Sequence, residues 1–416
     1  MPRALPAALQ PALFALLVSP AFSLPALSWF SASDTHLGHD AGEGANRTTS
    51  YTKNVWAINE MNSLPGSAAQ WPAELGGGPV LEPAGVTVSG DLIDGGVNPA
   101  SNYDGCAQWA NFTSLYGLNG TDGLLRFRCM ESRGNHDGKN SSLEPPRGCE
   151  HSPSGWIVSR NRARAADPAF GITGLSEPTG LHYSWTWNIS SQCAVHFVHL
   201  GLFPGHGCGS ASNPAGEGGP PGFPCSNGDL AWAENSLGFL ETDLAAHAGP
   251  GVMTVTIQHY GLDGFSNGWY NQGSYETAWC FVPLYTRHST HSPPLRTAPP
   301  PPFLLPTDQR EELLATLNKY NPLLMLVGHT HTAELYSHNG TAQGEWGAAK
   351  PGYVDVVNAP ATQKEDGKGN PLPSEFMALE AALDAPGATT GTLRVAQRVG
   401  SAWGKVLGKK SFDCRA

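Results

Sequence analysis

Short oily runs recur along the chain, and five of them end abruptly on aspartate, asparagine or histidine. They are ALSWFSASDTH from Ala26, VTVSGDLID from Val86, LLRFRCMESRGNHD from Leu124, GVMTVTIQHY from Gly251 and PLLMLVGHTH from Pro322. Their β-branched and large apolar residues predict buried strands. YTKNVWAINEMN and CAQWANFTSLYG lie between the first three runs with apolar residues at helical spacing. LAWAENSLGFLETDLAAH, from Leu230, reads as an amphipathic helix ahead of the fourth run. TDQREELLATLNKY, with Thr307 or Asp308 as N-cap, predicts a helix ahead of the fifth. Strands separated by helices imply βαβ units and an at least partly parallel sheet. HYSWTWN and CAVHFVHLGLF predict two adjacent strands in the middle of the chain. GYVDVVNAPA, EFMALEAALD and TLRVAQRVG predict three more near the end, antiparallel in character.

In open α/β sheets, ligands bind at the carboxyl ends of the strands. Asp34 and His36, Asp91, Asn135 and His136, His259, and His329 with His331 all stand at such ends. Isolated core histidines do not produce five strand ends that each offer a carboxylate, an amide oxygen or an imidazole. His196 and His199 lie three apart within one strand, so they face opposite sides and are expected to bind no metal.

These blocks, DTH at 34 to 36, GDLID at 90 to 94, GNHD at 134 to 137, QHY at 258 to 260 and GHTH at 328 to 331, resemble in order and spacing those of the calcineurin-like metallophosphoesterases. The resemblance covers residues 30 to 335. It implies an αββα sandwich of two mixed β-sheets flanked by helices, with the metal site at the carboxyl ends of the strands. It also implies two divalent or trivalent metal ions, Zn, Fe or Mn, whose bridging hydroxide attacks phosphorus in line to cleave phosphate esters. Carried over by position, Asp34, His36 and His331 would hold one metal, Asn135, His259 and His329 the other, and Asp91 would bridge them. His136 would face the substrate, where a protonated imidazole steadies phosphoryl oxygens or protonates the leaving alkoxide. Asp137 would orient the His136 ring, and Asp94 would support the centre from behind.

Composition narrows the partners. Charged residues make up 14% of the 416-residue chain and the net charge is -11, which argues against long nucleic acid or an anionic membrane as partner and leaves a small phosphoester drawn in by bound cations. Gly 50 and Pro 35 require abundant loops, including insertions near 204–228 and 287–306. Residues 1–23 read as a secretory signal, with the apolar ALFALLV too short to span a bilayer, and 24–416 as one catalytic domain. No later stretch predicts a transmembrane anchor, and oligomeric state is open. Eight cysteines without C-x-x-C pairs predict disulfides, with Cys208 and Cys225 able to staple a Gly/Pro loop. Asn46, Asn111, Asn119, Asn140, Asn188 and Asn339 begin N-x-S/T sequons, consistent with a glycoprotein of the secretory lumen. The competing expectation is a secreted glycoprotein that keeps the fold for adhesion or scaffolding without catalysis. No ligand block is missing, which weighs against it, and empty metal sites would favour it.

Overall fold

In the computed structural model the described residues are 24–38, 50–94, 105–134, 136–138, 153–202, 204–205, 236–262, 307–340, 342–348, 350–362 and 373–415. The signal segment, nearly all of the 204–228 insertion and the whole of the 287–306 insertion lie outside them, as do Asn135, Asn46, Asn140, Cys208 and Cys225.

Three parallel strands, β1 (Ala26–Ala32), β2 (Val86–Val88) and β3 (Cys129–Glu131), form one side of the first sheet. Their connections carry α1 (Ser50–Ser63) and α2 (Gly105–Leu115). After β3 come α3 (Pro153–Ala166), β4 (Ile172–Leu175), β5 (Tyr183–Asn188) and β6 (Ala194–His199). Then α4 (Ser236–His247) leads to β7 (Val252–Ile257), and α5 (Thr307–Asn318) to β8 (Pro322–Val327). The remaining strands are β9 (Glu334–His338), β10 (Gln343–Gly344), β11 (Val354–Asn358), β12 (Glu375–Leu383), β13 (Thr390–Val399) and β14 (Ala402–Asp413).

Two mixed sheets result, with orders β14-β13-β12-β1-β2-β3 and β10-β9-β11-β8-β7-β6-β5-β4. Alternation along each strand sorts side chains into layers. Trp29 faces the other sheet and meets the Phe197 ring edge-on, with centroids 5.5 Å apart, inside a core that also takes Met130, Trp185, Val255, Leu324, Met377 and Val395. The next residue, Phe30, turns the other way and packs with Ile58 and Met61 of α1, Phe112 of α2 and Ile157 of α3. On the outer face of the second sheet, Val198, Met325 and Val327 pack with Leu240 and Leu244 of α4 and Leu313 and Leu317 of α5. The architecture is therefore the expected αββα sandwich.

Two expectations change in detail. The tail strands are not uniformly antiparallel: β12 and β13 are, but β11 runs parallel to β8 while pairing antiparallel with β9. Nor are all eight cysteines paired. Cys193 and Cys414 form a disulfide across 221 residues, but Cys129 is a free buried thiol at the start of β3, where it serves as a small apolar core residue. The two strand histidines face opposite sides of their sheet: His196 bonds Asp243 of α4 at 2.6 Å, and His199 faces the sheet interface and bonds the Met130 carbonyl at 2.9 Å.

Candidate metal centre

Backbone pairing continues beyond the strand ends and brings the polar blocks together. The Asp34 amide donates to the Gly90 carbonyl at 3.0 Å and the His36 amide to that of Asp91 at 3.0 Å, laying the DTH segment along GDLID. In the second sheet the Gly328 amide donates to the His259 carbonyl at 2.9 Å. Between the sheets, the His329 amide donates to Asp34 Oδ2 at 2.9 Å, and within the first sheet the His136 amide donates to Asp91 Oδ1 at 2.7 Å. Each carboxylate thus has one oxygen fixed by a backbone N–H and the other turned inward.

The cost of this arrangement is visible in the backbone. Six non-glycine residues among those described have left-handed φ, and five of them are Asp34 (52°), His36 (39°), Asp91 (51°), His329 (72°) and His331 (60°). Such conformations cost of order 1–3 kcal/mol each and persist where a site requires them. Glycines permit the close approach: a Cβ on Gly134 would overlap the Asp91 amide and carboxylate, and one on Gly328 would overlap the Ser33 hydroxyl.

Two donor clusters follow. Asp34, His36 and His331 form the first, with His36 Nε2 3.2 Å from His331 Nε2 and Asp34 Oδ1 3.3 Å and 3.6 Å from the His331 and His36 nitrogens. Asp91, His259 and His329 form the second, with Asp91 Oδ2 3.2 Å from His259 Nε2. The same Asp91 oxygen lies 3.5 Å from His36 Nε2, so it stands between the clusters. Asp34, His36, Asp91 and His259 are almost fully buried, whereas the His331 side chain is 43% exposed and marks the open side.

These spacings suit cations. In a tetrahedral site with bonds of about 2.0–2.1 Å, neighbouring ligand atoms stand about 3.3–3.4 Å apart. The tautomers point the same way. His259 Nδ1 lies 2.7 Å from the Ser89 carbonyl, which only accepts, so Nδ1 carries the proton and the Nε2 lone pair of the neutral ring faces the Asp91 carboxylate. Two acceptors at that distance need a proton or a cation between them. Asp34 Oδ1, fully buried, makes no hydrogen bond of ordinary geometry among the described residues.

Electrostatics supply the same demand. Burial pushes His36 down, but the carboxylates of Asp34, Asp94 and Asp91 around it raise it to about 10. His259 rises to about 9 against its burial, through the charge of Asp91 and its hydrogen bond to it. Asp34 and Asp91 are held well below the usual carboxylate range, their burial outweighed by surrounding histidines. His329 is lowered to about 4 by burial and by the charge on His259. Cations entering this set would displace the protons now held on His36 and His259.

His136 and Asp137 part from their expected relation. The Asp137 carboxylate accepts from the Leu92 amide at 2.9 Å, Ile93 at 3.0 Å and Gly134 at 2.8 Å, and so clamps the GDLID and GNHD segments to each other without touching the His136 ring. Asp94 takes the supporting place: its carbonyl contacts His136 Nδ1, and its carboxylate lies 3.2 Å from His36 Nδ1. His36, Asp94 and His136 are close enough to count as a third cluster, but this one orients two rings. Burial lowers His136 below its ordinary value against the pull of Asp91. Asn135 lies outside the described residues, between Gly134 and His136, which both touch the centre.

The sequence did not point to Asn54. Buried on α1, it donates from Nδ2 to the Thr35 carbonyl and to the Ser50 carbonyl, each at 2.8 Å. Its Oδ1 accepts from Tyr116 and Thr362 hydroxyls, each at 2.7 Å. It therefore holds the peptide between Asp34 and His36. The available signal was an asparagine in mid-helix, one turn after Ser50 on the buried face.

No protein-family model matches this chain, and no curated protein matches its sequence.

Proposed function

We propose that this protein is a metal-dependent phosphoester hydrolase of the calcineurin-like metallophosphoesterase kind, with a pair of cations held in the two donor clusters. The observation that carries the reading is the meeting of six carboxylates and imidazoles from four distant blocks around Asp91 Oδ2, five of them on strained backbone. Asp34, His36 and His331 would hold one cation, His259 and His329 with Asn135 the other, and Asp91 would serve both. Bound there, the cations supply Lewis acidity toward phosphoryl oxygens and lower the pKa of a coordinated water.

The remaining roles belong to the chain. Asp94 aligns the His36 and His136 rings, and Asp137 holds together the segments that carry Asp91 and His136. His136, with 27% of its side chain exposed, meets the substrate. Its Nδ1 proton is committed to the Asp94 carbonyl, so Nε2 is the atom that exchanges a proton with a phosphoryl or leaving oxygen. The substrate is a small phosphoester. Export belongs to the same reading: residues 1–23 act as a signal peptide, a disulfide forms, and no helix among the described residues is long and apolar enough to cross a membrane.

The test is hydrolysis of chromogenic phosphomonoesters and diesters by protein loaded with Zn, Mn or Fe and then chelated. Turnover should vanish with the metal, and Asp91→Asn should lose both together. Folded protein that retains its metals yet turns over nothing on a broad phosphoester panel refutes the hydrolase.

A further inference from the structure

We infer that Asn111, Asn119 and Asn188 carry N-linked oligosaccharides, and that these sit on the flank and base of the sandwich, away from the donor clusters; the inference rests on the secretory reading above. Each begins an N-x-S/T sequon, each is exposed, and none of their Nδ2 atoms makes a hydrogen bond among the described residues. At Asn119 the local fold is explicit: Oδ1 accepts from the Thr121 amide at 2.8 Å and the Thr121 hydroxyl at 2.7 Å, so the +2 threonine engages the carbonyl side and leaves the amide nitrogen outward.

Topology places them. The donor clusters occupy the carboxyl ends of β1, β2, β7 and β8. Asn188 ends β5, which runs antiparallel to β6 and pairs Asn188 with Ala194 at the start of that strand, the opposite end of the sheet. Leu118, next to Asn119, accepts from the Cys129 amide at the start of β3, again the opposite end. β7 spans six residues, which separates the two ends by about 20 Å. Asn111 lies on the flank, in α2, four residues before that helix ends at Leu115. Asn339 follows β9, whose His338 pairs with Val354 at the start of β11, so it belongs to the same end. The Cys193–Cys414 disulfide is there too.

In the modification, Nδ2 loses a proton and bonds the anomeric carbon of a lipid-linked pyrophosphoryl oligosaccharide, whose carbon–oxygen bond to pyrophosphate breaks. The separation from the clusters makes these glycans neutral toward metal binding.

The full chain, expressed in a eukaryotic host, would be recovered from medium and cells and mapped by glycopeptide mass spectrometry after enzymatic release in heavy-oxygen water. The expected result is isotope-labelled aspartate at positions 111, 119 and 188 in the secreted protein. Single Asn111→Gln, Asn119→Gln and Asn188→Gln variants should each lose one glycan with metal content unchanged. Secreted protein with unmodified asparagine at these positions overturns the inference and leaves export standing. Protein found only in the cytosol overturns both, and a variant that loses metal while folded overturns the claimed neutrality.

Discussion

Asn54→Leu replaces the planar amide with a side chain of the same branching and no polar atoms. It leaves the Thr35 carbonyl and the Tyr116 and Thr362 hydroxyls without their partner inside a buried region. Each unsatisfied group costs about 1–3 kcal/mol, so the loss is roughly 3–9 kcal/mol against a typical total of 5–15 kcal/mol. Part of that falls on the Asp34–Thr35–His36 segment, where Asp34 and His36 of the first donor cluster already have left-handed φ. If about 1.4–3 kcal/mol of it is transferred to the metal site, cation affinity weakens by roughly 10- to 150-fold. Tyr116→Phe is the control: it removes one bond from the same hub without touching Thr35, so it should lower stability by about 1 kcal/mol and leave affinity alone. Chelator competition gives the metal Kd, and thermal unfolding of metal-free protein gives stability. Should Asn54→Leu fail to fold, Asn54→Asp retains the acceptor for both hydroxyls and loses the donation to Thr35. A folded Asn54 variant that is destabilised but binds metal within twofold of the parent would refute the claim that this side chain shapes the site.

His331→Ala should cost little stability, about 0.5 kcal/mol or less, because the side chain is 43% exposed, while elemental analysis finds less metal per chain. Acid stability has a separate origin at Glu131, which sits between Arg160 and Arg164. Burial raises this carboxyl, but the two guanidinium charges outweigh it and bring it from 4.5 to about 2. Its contribution is complete above pH 4.5 and disappears as pH falls toward 2, about 3 kcal/mol in all. Glu131→Gln should therefore flatten that part of the stability profile in metal-free protein, as read by denaturant titration at stepped pH.

The blocks at the ends of β1, β2, β3, β7 and β8 were legible because apolar alternation stops there on residues of one chemistry. The left-handed turns that aim Asp34, His36, Asp91, His329 and His331 were not, because non-glycine side chains give no sign of positive φ. Helix α3 escaped notice for another reason. Its buried side includes Asn161 and Arg164, and Arg164 is held by Glu131 and the Cys129 carbonyl, so an apolar pattern could not reveal the face. Helix α1 was legible despite Ser50, Lys53 and Asn54 on its inner face, because Ala57, Ile58 and Met61 share that face at helical spacing. β14 carries Gly404, Gly408 and three lysines on the edge of its sheet, a composition that reads as loop. The role expected of Asp137 was carried over from the resemblance, which does not show that the turn directs this carboxylate onto backbone amides.

Anomalous diffraction from crystals grown with zinc or manganese tests the central claim most directly. Two peaks about 3.5–4 Å apart are expected, one among Asp34, His36 and His331, the other beside His259 and His329, with Asp91 reaching both. Crystals that bind no metal between these side chains, or bind it only at the surface, would contradict the account.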